Sequence, residues 1–179
     1  MEFARTIRSS GNDLLSLINE ILDLSKIESG AMTVEIRELH FADLKEHLKR
    51  TFDPVAAEKG LKYTIDFDSS LPPLIYTDEM RLQQVLLNLL SNAFKFIHEG
   101  GVSIKGRIAT QGWSSIHPVL STTDQVIAFT VTHTGIGISE ENQKAIFEAF
   151  QQADGSTSRK YGGTGLGLSI CRLPPNATL

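Results

Sequence analysis

The chain has 179 residues, with 41% hydrophobic and 21% charged side chains and a formal charge of -4 at pH 7. That composition allows a real core and excludes whole-chain disorder. Without a Lys/Arg run, a second cysteine beside Cys171 or an apolar run of the ~20 residues a bilayer span needs, it gives no sign of a nucleic-acid footprint, an internal disulfide, a thiolate metal cluster or a membrane segment.

The N-terminal stretch MEFARTIRSSGNDLL is too polar for a signal peptide, and a cytoplasmic location is expected, with a place in a membrane-attached receptor as the alternative for a longer protein. Residues 3–28 read as one long helix, because Ile7, Leu14, Ile18 and Ile21 recur at helical spacing and Leu15/Leu22 and Leu17/Leu24 repeat at seven. Gly30 is a plausible C-terminal cap. So apolar a stripe must pair, either with the rest of this chain or with a second helix in a dimer. Met32, Val34 and Ile36 alternate with polar residues and predict a short strand. Phe41 to Glu58 reads as a helix with Leu44, Leu48, Phe52 and Val55 on one face, bent or interrupted at Pro54. Leu61–Phe67 is the next strand, and Ser69–Pro73 a turn. A helix capped by Thr77 or Asp78 runs to about Phe96.

Strands follow at Gly101–Ala109 and Val126–Thr132, separated by an irregular segment with Trp113 and Pro118. Ser139 can cap a helix through Phe147, with Glu140 and Glu141 in its first turn. Residues 151–163 form a polar loop. A last helix starts near Gly165 and stops at about Arg172, before Pro174 and Pro175.

Three groups could carry chemistry. On the helix from 78 to 96, Leu82, Val85, Leu86, Leu89, Leu90 and Ala93 make a buried face, while Asn88, Asn92 and Lys95 share another. Alone, that second stripe reads as a solvated face. Equally, a carboxamide oxygen is a hard ligand for Mg²⁺, and Lys95 can meet phosphate as a point charge. The second group is VTHTGIGI (131–138), and the third GGTGLGL (162–168). Closely spaced glycines let backbone N–H groups approach phosphate oxygens. The spacing fits neither a Rossmann fingerprint nor a P-loop.

The order of the three is more specific than any one. NLLSNAFKF (88–96), HTGIGI (133–138), IFEAF (146–150) and YGGTGLGLSI (161–170) resemble the N, G1, F and G2 boxes of the ATP-binding catalytic module of sensor histidine kinases, in the GHKL ATPase superfamily. Residues 3–30, ending ILDLSKIESG, resemble the second helix of that family's dimerisation hairpin. The resemblance spans residues 1–172. It implies an α/β (α+β) fold: a two-layer sandwich of a mixed sheet with helices on one face, preceded by one long helix. The implied domains are 1–30 (hairpin helix), 31–172 (catalytic domain, incomplete) and 173–179 (irregular tail).

By the same resemblance, Asn92 would hold the Mg²⁺ that bridges the phosphates of ATP. Asn88 stands where related ATPases place a general-base glutamate, and could here only orient or hydrogen-bond. Lys95 would contact phosphate, and Phe96 would pack near adenine. Gly135 and Gly137, with Ile136 and Ile138 between and after them, would give the base close backbone approach. Phe147 and Phe150 would anchor the lid. Arg159, then Lys160, would reach the phosphates, beside Tyr161. Gly163, Gly165 and Gly167, interleaved with Thr164 and Leu166, would cradle them.

This chain departs from the pattern in three places. The family has an aspartate at His133, accepting from the adenine amino group. Losing such a bond costs about 1.5–3 kcal/mol, or about 10- to 150-fold in affinity. A neutral imidazole could partly substitute and an imidazolium could not, so ATP binding is expected to weaken between about pH 8 and 5.5. A histidine turned out to solvent in a defunct pocket is the alternative. Second, the family's phosphoacceptor has no counterpart among His40, His47, His98, His117 and His133. A partner bearing the hairpin's first helix would have to supply it. Third, the family continues past GLGLSICR with further strands. Their absence predicts marginal stability or self-association.

The expected activity is Mg·ATP-dependent phosphoryl transfer to a partner's histidine, weakened by His133 and by the short C-terminus. Expected partners are ATP, a second copy or a kinase through the N-terminal helix, and a response regulator or phosphoacceptor hairpin. The alternative is a non-catalytic regulatory or dimerisation partner of a histidine kinase.

Overall fold

Two helices bury their apolar stripes against one face of a three-stranded sheet. A computed structural model describes residues 33–113, 117, 119–148 and 167–171. It also describes Ile7, Gly11, Leu14, Leu15, 17–19, 21–23, Ser25, Lys26, Ser29 and Ala31. The described residues divide into two units: one holds residues 34–137, the other those of 1–33 and 138–174.

In the first unit, strand β1 (Arg37–His40) leads directly into helix α1 (Phe41–Lys59). Phe41, Leu44, Leu48, Phe52 and Ala56 are buried, the three-and-four spacing of one helical stripe. The helix runs through Pro54 without interruption, contrary to expectation. Pro54 and Arg50 are both exposed, so the carbonyl that loses its partner lies on the solvent side. Gly60, at φ 64°, ends the helix, and the Leu61 N–H returns to the Ala56 carbonyl at 2.9 Å.

Strand β2 (Lys62–Phe67) follows. Strand β3 (Leu74–Thr77), which the sequence did not predict, pairs antiparallel with β1, Arg37 opposite Thr77 and His40 opposite Leu74. The predicted strand at 32–36 is displaced: Thr33–Ile36 are not in a strand, and β1 begins at Arg37. Leu39, 2% exposed, is the residue that buries, whereas Ile36 is 54% exposed.

Helix α2 (Glu79–Lys95) is capped by Asp78, whose carboxylate accepts from the Arg81 N–H at 3.1 Å and from the Glu35 N–H at 3.0 Å. One side chain therefore ties the helix start to the segment entering β1. Leu82, Leu86, Leu90, Ala93 and Phe94 are buried, whereas Val85 and Leu89 are only half-buried.

Strands β4 (Gly101–Ala109) and β5 (Val126–His133) complete the sheet, in the order β2-β4-β5. β2 and β4 are parallel and β4 and β5 antiparallel, so the sheet is mixed. Val102, Ile104 and Gly106 of β4 are buried, while Lys105 and Arg107 are exposed. Side chains alternate faces along a strand, so the even-numbered positions of β4 face the helices. Phe52 stacks on Phe94 at 5.3 Å with Tyr63 edge-on to both, locking α1, α2 and β2 together.

In the second unit, the described residues from Ile7 to Lys26 are helical. Gly30 and Met32 lie outside the described residues. Helix α3 (Asn142–Ala145) is a single turn, shorter than the predicted Ser139–Phe147. The N-cap is Glu141, which makes no side-chain cap bond, and the Ser139 backbone carbonyl accepts from the Asn142 N–H at 3.0 Å. Helix α4 (Gly167–Ile170) carries Ser169, 6% exposed, and the Cys171 thiol donates back to the Gly167 carbonyl. Phe150, the loop 151–163 and Arg172 lie outside the described residues. No helix among the described residues is long and apolar enough to cross a membrane.

Candidate nucleotide site

Helix α2 delivers its polar stripe beside an apolar seam. Asn88, Asn92 and Lys95 are all half-buried, while Leu86, Leu90 and Ala93 are buried behind them. The Asn92 carboxamide has no side-chain partner among the described residues, and its backbone carbonyl accepts from the Phe96 N–H at 3.1 Å. Burial holds the Lys95 ammonium below its ordinary pKa, and its Nζ lies 5.2 Å from the centroid of the Phe96 ring. Lys59 reaches the same helix end, its Nζ donating to the Phe94 carbonyl at 2.7 Å. Helix C-termini carry negative partial charge. The Lys59 and Lys95 ammonium groups complement that charge.

The second component is the turn after β5. His133 is opposite Val102 in the β4–β5 register, so it shares the helical side of the sheet with Val131, Phe129 and Ile127. Thr134 is clamped: its Oγ1 donates to the Glu99 carbonyl at 3.1 Å and accepts from the Gly101 N–H at 3.2 Å. Its own N–H donates to the Gly101 carbonyl at 3.2 Å. Gly100, at φ 102°, can carry no side chain here because a Cβ would overlap the Thr134 hydroxyl.

Gly135 passes directly beneath the end of α2. A Cβ on it would overlap the Phe96 carbonyl oxygen and come within 2.9 Å of the carbonyl carbon. The Ile136 N–H donates to that same carbonyl at 3.3 Å. The Gly135 N–H donates to His133 Nδ1 at 3.1 Å. The ring is half-buried, and its accepting nitrogen serves the turn. Gly137, at φ 70°, then reverses the chain.

The structure thus brings Lys95, Phe96, His133, Gly135 and Ile136 together at one end of α2. Asn92 and Asn88 lie one and two turns back along the helix. Gly137 closes this unit, while Ile138 and Gly167 belong to the other. Arg159, Lys160, Tyr161, Gly163, Thr164, Gly165 and Leu166 lie outside the described residues. Thr134, Lys59 and the Gly100-Gly101 pair were not singled out from sequence. The glycine pair facing Thr134 across the sheet end is the signal that could have found them.

No group of three or more His, Cys, Asp or Glu side chains that could hold a metal gathers among the described residues. A lone unpaired carboxamide oxygen at Asn92 suits Mg²⁺, which takes few protein ligands and keeps phosphate and water oxygens for the rest.

Residues 77–173 match the family model of histidine kinase-, DNA gyrase B- and HSP90-like ATPases. The chain is 39% identical over 164 residues to the autoinducer 2 sensor kinase/phosphatase LuxQ of Vibrio vulnificus (strain YJ016), covering 92% of this chain and 18% of that protein. It is 38% identical over 165 residues to the signal transduction histidine-protein kinase BarA of Escherichia coli (strain K12), covering 92% and 17%. The crystal structure of full-length ShkA in complex with AMPPNP superposes with a TM-score of 0.74 at 32% identity, covering 94% of this chain and 32% of that one. The chain thus spans less than a fifth of the length of these two sequence relatives.

Proposed function

The chain belongs to the family of histidine kinase-, DNA gyrase B- and HSP90-like ATPases, alongside the catalytic domains of two-component sensor histidine kinases, and on that premise we propose that it binds a Mg·nucleoside triphosphate such as ATP for phosphoryl transfer to a histidine supplied by a partner. The observation that carries this reading is the tie between the Ile136 N–H and the Phe96 carbonyl. It sets a glycine turn against the helix end that bears Lys95 and Asn92. Backbone at Gly135 and Gly137 would face the base, with Phe96 beside it.

Lys95 would neutralise phosphate charge, and the Asn92 oxygen would hold Mg²⁺. Bound there, the ion would draw charge from the transferring phosphoryl group. Asn88 is a carboxamide and takes no proton, so its role is to orient. Arg159, Lys160, Tyr161, Gly163, Thr164, Gly165, Leu166 and Gly167 would complete the phosphate side, with Ile138 continuing the base side. His133 weakens the adenine contact, since its accepting nitrogen is already engaged. The N-terminal helix would pair with a second copy or a kinase partner, and a response regulator would take the phosphoryl group onward.

The test is calorimetric titration with AMPPNP with and without Mg²⁺, then transfer of label from γ-³²P-ATP to a supplied hairpin domain. Mg²⁺-dependent binding and a labelled hairpin support the reading. Binding without transfer would favour a regulatory partner, and no binding of any triphosphate would end it.

A further inference from the structure

The three-stranded sheet has a second end, away from the nucleotide turn. Phe67 of β2 lies opposite Gly106 of β4, which lies opposite Phe129 of β5. His133 lies opposite Val102, four residues and so about 13 Å back along β4 from Gly106. At this far end a cavity of about 280 Å³ opens between the start of α1 and the loop after β2. Phe41 and Phe67, edge to face at 5.6 Å, line it with Leu71 and Pro72. The loop is preorganised. The Leu71 N–H donates to the Asp68 carbonyl at 3.0 Å, and the Ser70 N–H to Asp68 Oδ1 at 2.8 Å. The Phe41 N–H donates to the Pro73 carbonyl at 3.2 Å, which ties the loop to the first residue of α1.

Two opposite charges also line the cavity, Lys45 from α1 and Asp68 from the loop. The described ion pairs are Arg37–Glu35 and Lys49–Glu46, so neither Lys45 nor Asp68 is neutralised by the other or by a third residue. Hydrogen bonds from the Ser70 backbone, then from its side chain, hold the Asp68 carboxyl below its ordinary pKa, so it is ionised at neutral pH.

We propose that this cavity binds a free α-amino acid with an apolar side chain: the side chain on Phe41, Phe67 and Leu71, the carboxylate on Lys45 and the ammonium on Asp68. An apolar surface flanked by one cation and one anion matches a small molecule that carries both charges beside an apolar group. A purely anionic ligand would meet Asp68, and a purely cationic one Lys45, each at a cost in repulsion. The volume falls just under the ~300–1,000 Å³ of most small-molecule sites, which suits a molecule the size of one amino acid. The site lies wholly within the 34–137 unit and does not depend on the triphosphate reading.

The experiment is a titration of the isotope-labelled full chain, followed by NMR amide shifts, with L-phenylalanine and L-leucine. Three probes each lack one feature: glycine, L-phenylalaninamide and N-acetyl-L-phenylalanine. Saturable binding of phenylalanine or leucine is expected, with shifts at 41–45 and 67–73. Phenylalanine should bind about tenfold or more tighter than glycine, and about threefold to fivefold tighter than the amide and the acetyl derivative. Lys45→Met should abolish the preference over the amide. Asp68→Asn, whose carboxamide oxygen can still accept the Ser70 N–H, should abolish the preference over the acetyl derivative. No saturable binding of either amino acid overturns the proposal. So does glycine, the amide or the acetyl derivative binding as tightly as phenylalanine, and so do shifts confined to residues outside this cavity. The ligand series on the unaltered chain decides the matter even if a variant does not fold.

Discussion

Lys95 is held in a compromise. Burial disfavours its charge in the free protein, and a bound anion would offset that penalty. Lys95→Met should therefore leave the melting temperature unchanged or slightly raised while weakening triphosphate binding about tenfold or more, as read by scanning fluorimetry beside calorimetry. A parallel loss of stability would show Lys95 to be structural. Tyr63 is the complementary case. Its hydroxyl is buried with no partner among the described residues. Burial first, and the Asp53 carboxylate second, raise its pKa far above the ordinary phenol value. An acid whose folded pKa is raised keeps its proton after the unfolded chain has released it, so stability should fall as the pH climbs past about 10. Tyr63→Phe should flatten that alkaline loss in urea melts and add about 1 kcal/mol at neutral pH by removing an unsatisfied hydroxyl. Neither property was legible in the sequence: Tyr63 reads there as one more strand position, and the burial of its hydroxyl depends on tertiary packing.

Elements built by local pattern were legible, and those built by pairing were not. Helix α2 announces itself through Asp78 and the Leu82-Leu86-Leu90 stripe, β4 through the alternation of Val102 and Ile104 with polar residues, and β5 through its many β-branched residues. β3 is four residues after two prolines, and β1 exists only because β3 pairs with it. The alternation at Met32, Val34 and Ile36 pointed to the wrong stretch because register depends on the partner. Asp78 shows how this small sheet serves the site: its two oxygens bind the α2 start and the approach to β1 together. Asp78→Ala should cost about 1–2 kcal/mol in chemical denaturation. Triphosphate affinity should change little, because the turn and Lys95 are at the helix's other end. A variant as stable as the parent would show the cap to be redundant.

For the whole molecule, the described apolar residues of the N-terminal helix stand out: Ile7, Leu14, Leu15, Ile18, Ile21 and Leu22 are 43–73% exposed. A contiguous stripe of this kind marks an interaction surface. Sedimentation equilibrium should show concentration-dependent association of the chain, and Leu15→Glu with Leu22→Glu should shift it to monomer with the 34–137 core still folded by circular dichroism. A parent chain that stays monomeric at high concentration would refute this. The stripe itself was legible from its seven-residue spacing. How the glycine turn and the helix end meet was not, because that junction depends on a backbone carbonyl no side-chain pattern encodes.

The residue-by-residue register of β5 against β4 constrains how this protein can change. Losing one codon between Val126 and Thr132, while the Thr134 clamp keeps its anchor at Gly101, would feed Thr132's register slot with the wrong neighbour and swing the apolar residues upstream to the water side. The described residues of the 110–125 connection belong to no strand. Insertions and deletions should therefore be absorbed there, leaving the recognition end of the strand as a fixed point that drift in length cannot reach.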